Sequence, residues 1–133
     1  MNVLVGDIGN TTTKICLIQK SNFKIKKIIY FDSKHIISKG KLNNSFKKII
    51  KGKNINKKAL FSSVVPKYTI LIKKYLKKKY KINLIEIKDK NINKIVKINI
   101  KNKKQVGSDR IANAAGVYKK YKKNCIVLDF GTA

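Results

Sequence analysis

Residues 5–14 read VGDIGNTTTK, an apolar strand that ends on an acid and continues into a turn containing glycine. The chain holds only six acidic residues against 33 basic ones, so a carboxylate at this place needs an explanation. The turn residues Gly9, Asn10, Thr11 and Thr12 favour a hairpin between a buried strand over 2–8 and a second strand over 13–19. We therefore expect an antiparallel pair with Asp7 at its open end.

The length and the cysteine usage are typical of one intracellular domain. The chain has 133 residues, of which 43% are hydrophobic, enough for one core. No apolar run approaches the ~20 residues that a membrane helix needs, and the N-terminus has no signal-peptide pattern. Cys16 and Cys125 are interpreted as two reduced thiols, and His35, the only histidine, excludes a histidine metal site. We expect a cytoplasmic protein without a membrane partner.

The formal net charge of +27 normally suggests a nucleic-acid partner. However, Arg110 is the only arginine among the 33 basic residues, and the lysines are spread along the chain. Arginine is the better residue for bidentate recognition of phosphates and bases. The sequence therefore predicts no specific nucleic acid, only nonspecific attraction to polyanions.

The hydrophobic periodicity predicts an α/β fold with a mixed sheet and flanking helices. The predicted strands are 2–8, 13–19, 25–31, 59–65, 83–87 and 125–130. The predicted helices are 38–50, one that begins at Pro66, and 107–121, where one face carries Ile111, Ala114, Ala115, Tyr118 and Tyr121. Residues 88–104 are rich in lysine and asparagine and are assigned as loops with one further strand. Tyrosines 68, 75, 118 and 121 are expected in the core or on a dimer face.

The opening motif has a counterpart near the other end of the sequence. Residues 4–10 align with 127–132, because each stretch is an apolar strand followed by Asp, an apolar residue, Gly and a small polar residue. Such a repeat suggests two related half-folds. In each, glycine lets a ligand approach the backbone, and N–H groups can point at phosphate oxygens. A carboxylate needs a cation, usually Mg²⁺, to approach phosphate. We expect Asp7 and Asp129 to meet at one nucleotide pocket, with Lys14 adding positive charge.

These two Asp–Gly loops resemble the phosphate loops of the sugar kinase, Hsp70 and actin superfamily. Within it, DIGNTTTK at 7–14, SSVVP at 62–66, GSDRIANA at 107–114 and DFGTA at 129–133 resemble segments of type III pantothenate kinases, in the same order and spacing. The resemblance implies a ribonuclease H-like, actin-like ATPase half-domain over 1–106 and the start of a second half-domain, truncated, over 107–133.

The resemblance also implies a role for each motif residue. Contacts with ATP are implied for Asp7, Ile8, Gly9, Asn10, Thr11, Thr12, Thr13, Lys14 and Thr132. Pantothenate would be bound by Gly107, Ser108, Asp109 and Arg110. Asp109 would be the general base, Arg110 would anchor the substrate carboxylate, and Asp129 would hold K⁺ or NH₄⁺. ATP and Mg²⁺ are the other implied cofactors, and a homodimer is the implied assembly, with the helix over 107–121 contributing to its interface.

Simpler interpretations of these residues stay open. GDIGNT alone fits a plain hairpin turn, Asp109 fits a helix N-terminus capped by Ser108, and Arg110 fits a solvated charge. Asp129 fits a strand-end acid bonded by backbone donors. Family members continue beyond DFGTA, so the alternative function is an inactive, truncated kinase scaffold that acts as a binding or regulatory module. A kinase of the same superfamily with another acceptor is the third hypothesis.

Overall fold

The chain begins with a three-stranded antiparallel meander. The computed structural model describes residues 1–89, 96–102 and 105–129. Strands β1 (Asn2–Ile8), β2 (Thr12–Gln19) and β3 (Ile25–Asp32) pair in sequence order. All three lie within one residue of the predicted ranges. The register between β1 and β2 places Asp7 opposite Lys14, so both side chains lie at the turn end of the hairpin.

Two crossovers then extend the sheet on the other side of β1. In the first crossover, helix α1 (Lys39–Ile50) leads to β4 (Lys58–Ser63), which pairs parallel to β1. In the second crossover, helix α2 (Pro66–Tyr80) leads to β5 (Asn83–Glu86), which pairs parallel to β4. Ser38 caps α1, and Pro66 occupies the first turn of α2, where no N–H is needed. The sheet order is β3-β2-β1-β4-β5. This mixed sheet with flanking helices confirms the predicted ribonuclease H-like α/β class.

The core fills the space between the sheet and helices α1 and α2. Because strand side chains alternate between faces, Leu4 and Ile8 of β1 point into this core, whereas Asp7 points to the other face. Phe46 of α1 and Leu76 of α2 are fully buried in the same cluster. Position 6 on the core side of β1 requires glycine, since a Cβ there would lie 2.2 Å from the Phe61 ring. The polar end of β1 is therefore presented away from the core.

Helix α3 (Ser108–Tyr121) matches the predicted helix and contacts β4. Its Ile111 is buried, but Tyr118 and Tyr121 are exposed, so the predicted apolar face extends over the first half of the helix only. Tyr68 and Tyr75 of α2 do pack against the core. In the described part of the chain, no helix is long and apolar enough to cross a membrane.

The predicted strand over 125–130 is wrong for the residues described. Residues 125–129 have irregular, exposed backbone, and Ile126 and Leu128 are largely solvent-exposed. An apolar segment becomes a strand only when a neighbouring strand accepts its hydrogen bonds, and none of the five strands pairs with this segment. Phe130 lies outside the described residues. The described parts of 88–104, which are residues 88–89 and 96–102, likewise contain no strand.

Candidate active site

A cleft of about 970 Å³ opens on the face of the sheet that lies opposite the core. It lies between the β1–β2 turn, the end of β4 and the first turns of α3. Its charged lining comes from three separate parts of the sequence: Asp7, Lys14, Asp109, Arg110 and Asp129. The structure therefore confirms that Asp7 and Asp129 lie at one cleft, while the predicted nucleotide stays a prediction.

Asp7 is held by the strands on both of its sides. The antiparallel register places it opposite Lys14, and the parallel register places it beside Ser62 of β4. The Ser62 hydroxyl donates a 2.6 Å hydrogen bond to Asp7 Oδ1. In the described part of the chain we find no second protein partner for this carboxylate, so its other oxygen is available to a ligand.

The turn after Asp7 contributes backbone to the cleft. The Gly9 N–H donates to the Thr12 carbonyl at 3.1 Å, and a Cβ on Gly9 would lie 2.9 Å from that same oxygen. Glycine is therefore required by the tightness of the turn. Gly9 and Asn10 line the cleft, whereas Thr11 and Thr12 are exposed at the turn beside it.

Two residues of the predicted phosphate motif do not face the cleft. Ile8 and Thr13 are fully buried, because strand alternation points them to the opposite side from Asp7 and Lys14. The Thr13 hydroxyl hydrogen-bonds the Ser33 hydroxyl at 2.8 Å, and Ser33 donates to the Gly9 carbonyl at 2.8 Å. Their side chains thus support the turn from inside the core, so their predicted contact with ATP stays a prediction and could involve only their backbone.

The N-terminus of α3 is attached to the end of β4 through Ser108. The buried Ser108 hydroxyl accepts from the Ser63 N–H at 2.7 Å and donates to the Ser63 carbonyl at 2.8 Å. Gly107, without a side-chain hydrogen bond, is the N-cap, so the alternative in which Ser108 caps the helix is wrong. Gly107 and Ser108 lie outside the cleft lining. The Ser108 side chain therefore holds the start of α3 against β4, and its predicted contact with pantothenate stays a prediction.

Asp109 carries an acceptor atom that the described residues leave unused. Its Oδ1 is buried and finds no hydrogen-bond partner within residues 1–89, 96–102 and 105–129. Gly107 makes room for this side chain, since a Cβ there would lie 2.2 Å from Oδ1. Buried carboxylate oxygens are normally paired, and the helix N-terminus favours the negative charge. The described residues thus leave this oxygen as a free acceptor, while the exposed Arg110 lines the same cleft.

Asp129 reaches the cleft through Asn113. Asn113 follows Asp109 by one helical turn and therefore lies on the same face of α3. Its Nδ2 donates to Asp129 Oδ2 at 3.0 Å. Asp129 is otherwise exposed, so this one contact attaches the second Asp motif to the helix that carries Asp109.

These motifs match a known family over nearly the whole chain. A profile described as type III pantothenate kinase matches residues 3–133. The chain belongs to the type III pantothenate kinase family. A type III pantothenate kinase of Pelagibacter ubique (strain HTCC1062) is 49% identical over 132 residues, and one of Fervidobacterium nodosum is 33% identical over 137 residues. Each alignment covers 98% of this chain and 51% of the relative. The chain thus spans about half the length of the curated relatives it matches.

The described residues of the cleft meet the ligand requirements of Mg²⁺ more fully than those of a monovalent cation. The described residues contain no group of three or more His, Cys, Asp and Glu side chains that could hold a metal. Mg²⁺ needs fewer protein ligands, since it keeps several waters and binds one or two carboxylates together with substrate phosphates. Asp7, which has one oxygen free of described protein donors, supplies such a carboxylate. At Asp129 the described residues supply one carboxylate, and Thr132, predicted to contact ATP, lies outside them.

The floor of the cleft is apolar. Val5, Cys16 and Leu60 line it beneath the charged rim. Burial raises the pKa of the Cys16 thiol, so the thiol stays mostly protonated near neutral pH. The floor can therefore contact the carbon skeleton of a ligand whose charged ends lie at the rim.

Sequence reasoning did not assign roles to Ser62 and Asn113. Ser62 is placed beside Asp7 by the parallel pairing of β1 with β4, which is not readable from either strand alone. Its only sequence signal is its position in the SSVVP segment. Asn113 had a local signal, because it lies four residues after Asp109 on a predicted helix.

Proposed function

We propose that this chain provides the catalytic cleft of an ATP-dependent pantothenate kinase. The reaction transfers the γ-phosphoryl group of ATP to the hydroxyl of pantothenate and gives 4'-phosphopantothenate, the first step of coenzyme A synthesis. The observation that carries the proposal is the convergence of Asp7, Lys14, Asp109, Arg110 and Asp129 on one cleft in a member of this family.

The nucleotide side of the cleft is the end of the β1–β2 hairpin. The backbone at Gly9 and Asn10 faces the phosphates, and Lys14 adds a positive point charge. Asp7, which has one oxygen without a donor among the described residues, would hold Mg²⁺. The bound Mg²⁺ supplies charge neutralisation, which suits phosphoryl transfer because its catalysis is mostly positioning and electrostatics.

The acceptor side is the first turn of α3. Asp109 takes the proton from the substrate hydroxyl as that oxygen attacks the γ-phosphorus, and its unpartnered Oδ1 supports this role. Arg110 binds the substrate carboxylate through its planar guanidinium. The apolar floor between these groups contacts the carbon skeleton of the substrate.

We also propose the rest of the assembly from the resemblance to the family. Residues 1–106 form one half-domain, and 107–133 belong to a second. Asp129, oriented by Asn113, takes part in binding K⁺ or NH₄⁺, and Thr132 contacts ATP. The working form is a cytoplasmic homodimer.

The net charge of +27 favours a second candidate, a non-enzymatic module that binds polyanions on a kinase scaffold. Nucleic-acid binding that weakens steeply with salt and also discriminates between sequences would support it. Binding without such discrimination would leave the charge as a property of composition.

The test is phosphorylation of pantothenate by the protein in its natural length, with ATP, Mg²⁺ and K⁺ present. We expect 4'-phosphopantothenate, detected by mass spectrometry. Asp109→Asn is expected to lower kcat at least 100-fold, the lower range for general base catalysis, while Mg²⁺–ATP binding persists in calorimetry.

The matched control is Asp89→Asn. Asp89 forms a surface ion pair with Lys73 at 3.6 Å, outside the cleft, and exposed pairs of this kind contribute little. This variant is expected to keep the wild-type rate. A folded wild-type protein that makes no product would contradict the proposal.

A further inference from the structure

We propose that Ser62 is a positioning residue that holds the Asp7 carboxylate in its working orientation. Only the kinetic part of this inference rests on the proposed function. The structural part concerns one side chain on β4 and its neighbour on β1.

The contact has the features of a strong hydrogen bond. The Ser62 hydroxyl and Asp7 Oδ1 are 2.6 Å apart, a distance typical of a hydroxyl that donates to an ionised carboxylate. Ser62 is only 5% exposed, so water has little access to compete for its hydroxyl. The parallel register pairs Ser62 directly with Asp7, which keeps the two side chains on the same face of the sheet.

The position of Ser62 is itself fixed by the next residue. Both backbone polar groups of Ser63 are bonded by the Ser108 hydroxyl, which belongs to the first turn of α3. The end of β4 therefore contacts the element that carries Asp7 through Ser62 and the element that carries Asp109 through Ser63. This arrangement fixes where one carboxylate lies relative to the other.

Loss of the Ser62 hydroxyl leaves Asp7 without its protein donor. The closest cross-strand cation is Lys14, directly opposite on β2. The freed carboxylate is then expected to populate more than one χ1 rotamer, including one turned toward Lys14. An Asp7 that samples several orientations spends less time oriented for its ligand, which lowers turnover without removing any group that contacts the acceptor.

The structural test measures the χ1 rotamer of Asp7 by NMR three-bond couplings in the protein without nucleotide. We expect one rotamer in the wild type and in Ser62→Thr, which keeps the hydroxyl on a β-favouring side chain. In Ser62→Ala we expect averaged couplings. Ser45→Ala, which removes a hydroxyl bonded to a helix carbonyl outside the cleft, is the control and should leave Asp7 unchanged.

The kinetic test uses the same four proteins in the pantothenate assay. For Ser62→Ala we expect kcat to fall about tenfold or more, the size expected for a lost hydrogen bond to a charged group, and KM for pantothenate to change by less than about twofold. Ser62→Thr should recover most of the rate.

A single, unchanged Asp7 rotamer in Ser62→Ala would overturn the inference, whatever the rate. If the wild type has no kinase activity, the proposed function fails, and the couplings alone still decide the role of Ser62.

Discussion

The apolar segments that lead to the two motif aspartates, Asp7 and Asp129, have similar sequences and different structures. Residues 2–8 form the central strand of a five-stranded sheet, paired with β2 on one side and β4 on the other. Residues 125–129 form no strand and are exposed, and a side-chain contact from Asn113 to Asp129 holds them at the cleft. The difference shows that an apolar run gains a defined conformation from its hydrogen-bonding neighbours more than from its own propensity.

The comparison also separates two ways of holding a carboxylate. Asp7 lies on a strand whose backbone is fixed on both sides and whose side chain is bonded by a nearly buried serine. Asp129 lies on irregular backbone and accepts a bond from an exposed asparagine. Substitutions near the first motif should therefore cost stability, whereas those near the second should cost little.

The largest expected contrast is between apolar residues of the two regions. Phe61, next to Ser62 on β4, is fully buried, while Leu128, next to Asp129, is 75% exposed. Phe61→Ala should lower the free energy of unfolding by about 3–5 kcal/mol, and Leu128→Ala should change it by less than about 0.5 kcal/mol. Urea unfolding followed by circular dichroism measures both. Equal costs would contradict the structural difference.

A smaller contrast concerns glycines. Gly6→Ala would place a methyl group 2.2 Å from the Phe61 ring, and overpacking of this kind costs about 1–3 kcal/mol. Gly116→Ala on α3 meets nothing within 4 Å and should stabilise the protein by up to about 1 kcal/mol, because alanine favours helices. Thermal unfolding distinguishes the two signs. A stabilising Gly6→Ala would show that β1 and β4 are packed less tightly than described.

The two cysteines give the third contrast. Cys16 on β2 is half-buried, and burial raises the pKa of its thiol. Near neutral pH, a smaller fraction of this thiol is therefore ionised than of a thiol with the ordinary pKa. Cys125 is exposed beside the second motif. Near pH 8, a thiol reagent such as DTNB should modify Cys125 about tenfold faster, since the thiolate is the reactive form. Cys16→Ser and Cys125→Ser identify which thiol gives each phase, and a faster Cys16 would contradict the described burial.

Much of the fold could be predicted from the sequence, because its signals are local. Alternating apolar residues define β1 and β2, Pro66 marks the start of α2, and the GSDR segment marks the start of α3. The strand over 125–130 could not be predicted correctly, because its pattern records apolarity and not the presence of a pairing partner.

The charged residues of the candidate site could be predicted from the sequence. The residues that hold them in place could not. Asp7, Asp109, Arg110 and Asp129 stand out in a chain dominated by lysine, whereas Lys14 was identified by its place in the first motif. The buried roles of Thr13 and Ser108 depend on which face of a strand or helix turns inward. The pairing of Ser62 with Asp7 depends on a register between strands more than 50 residues apart in sequence.

Asp7, Asp129 and the first turns of α3 line one cleft, and we propose that this cleft binds the nucleotide. The most direct measurement is a titration of the ¹⁵N-labelled protein with Mg²⁺–ATP, followed by the backbone amide shifts. We expect the amides of five residues to shift together with one shared Kd: Gly9, Asn10, Asp109, Asn113 and Asp129. Shifts confined to lysine-rich surfaces elsewhere, with these amides unmoved, would contradict it.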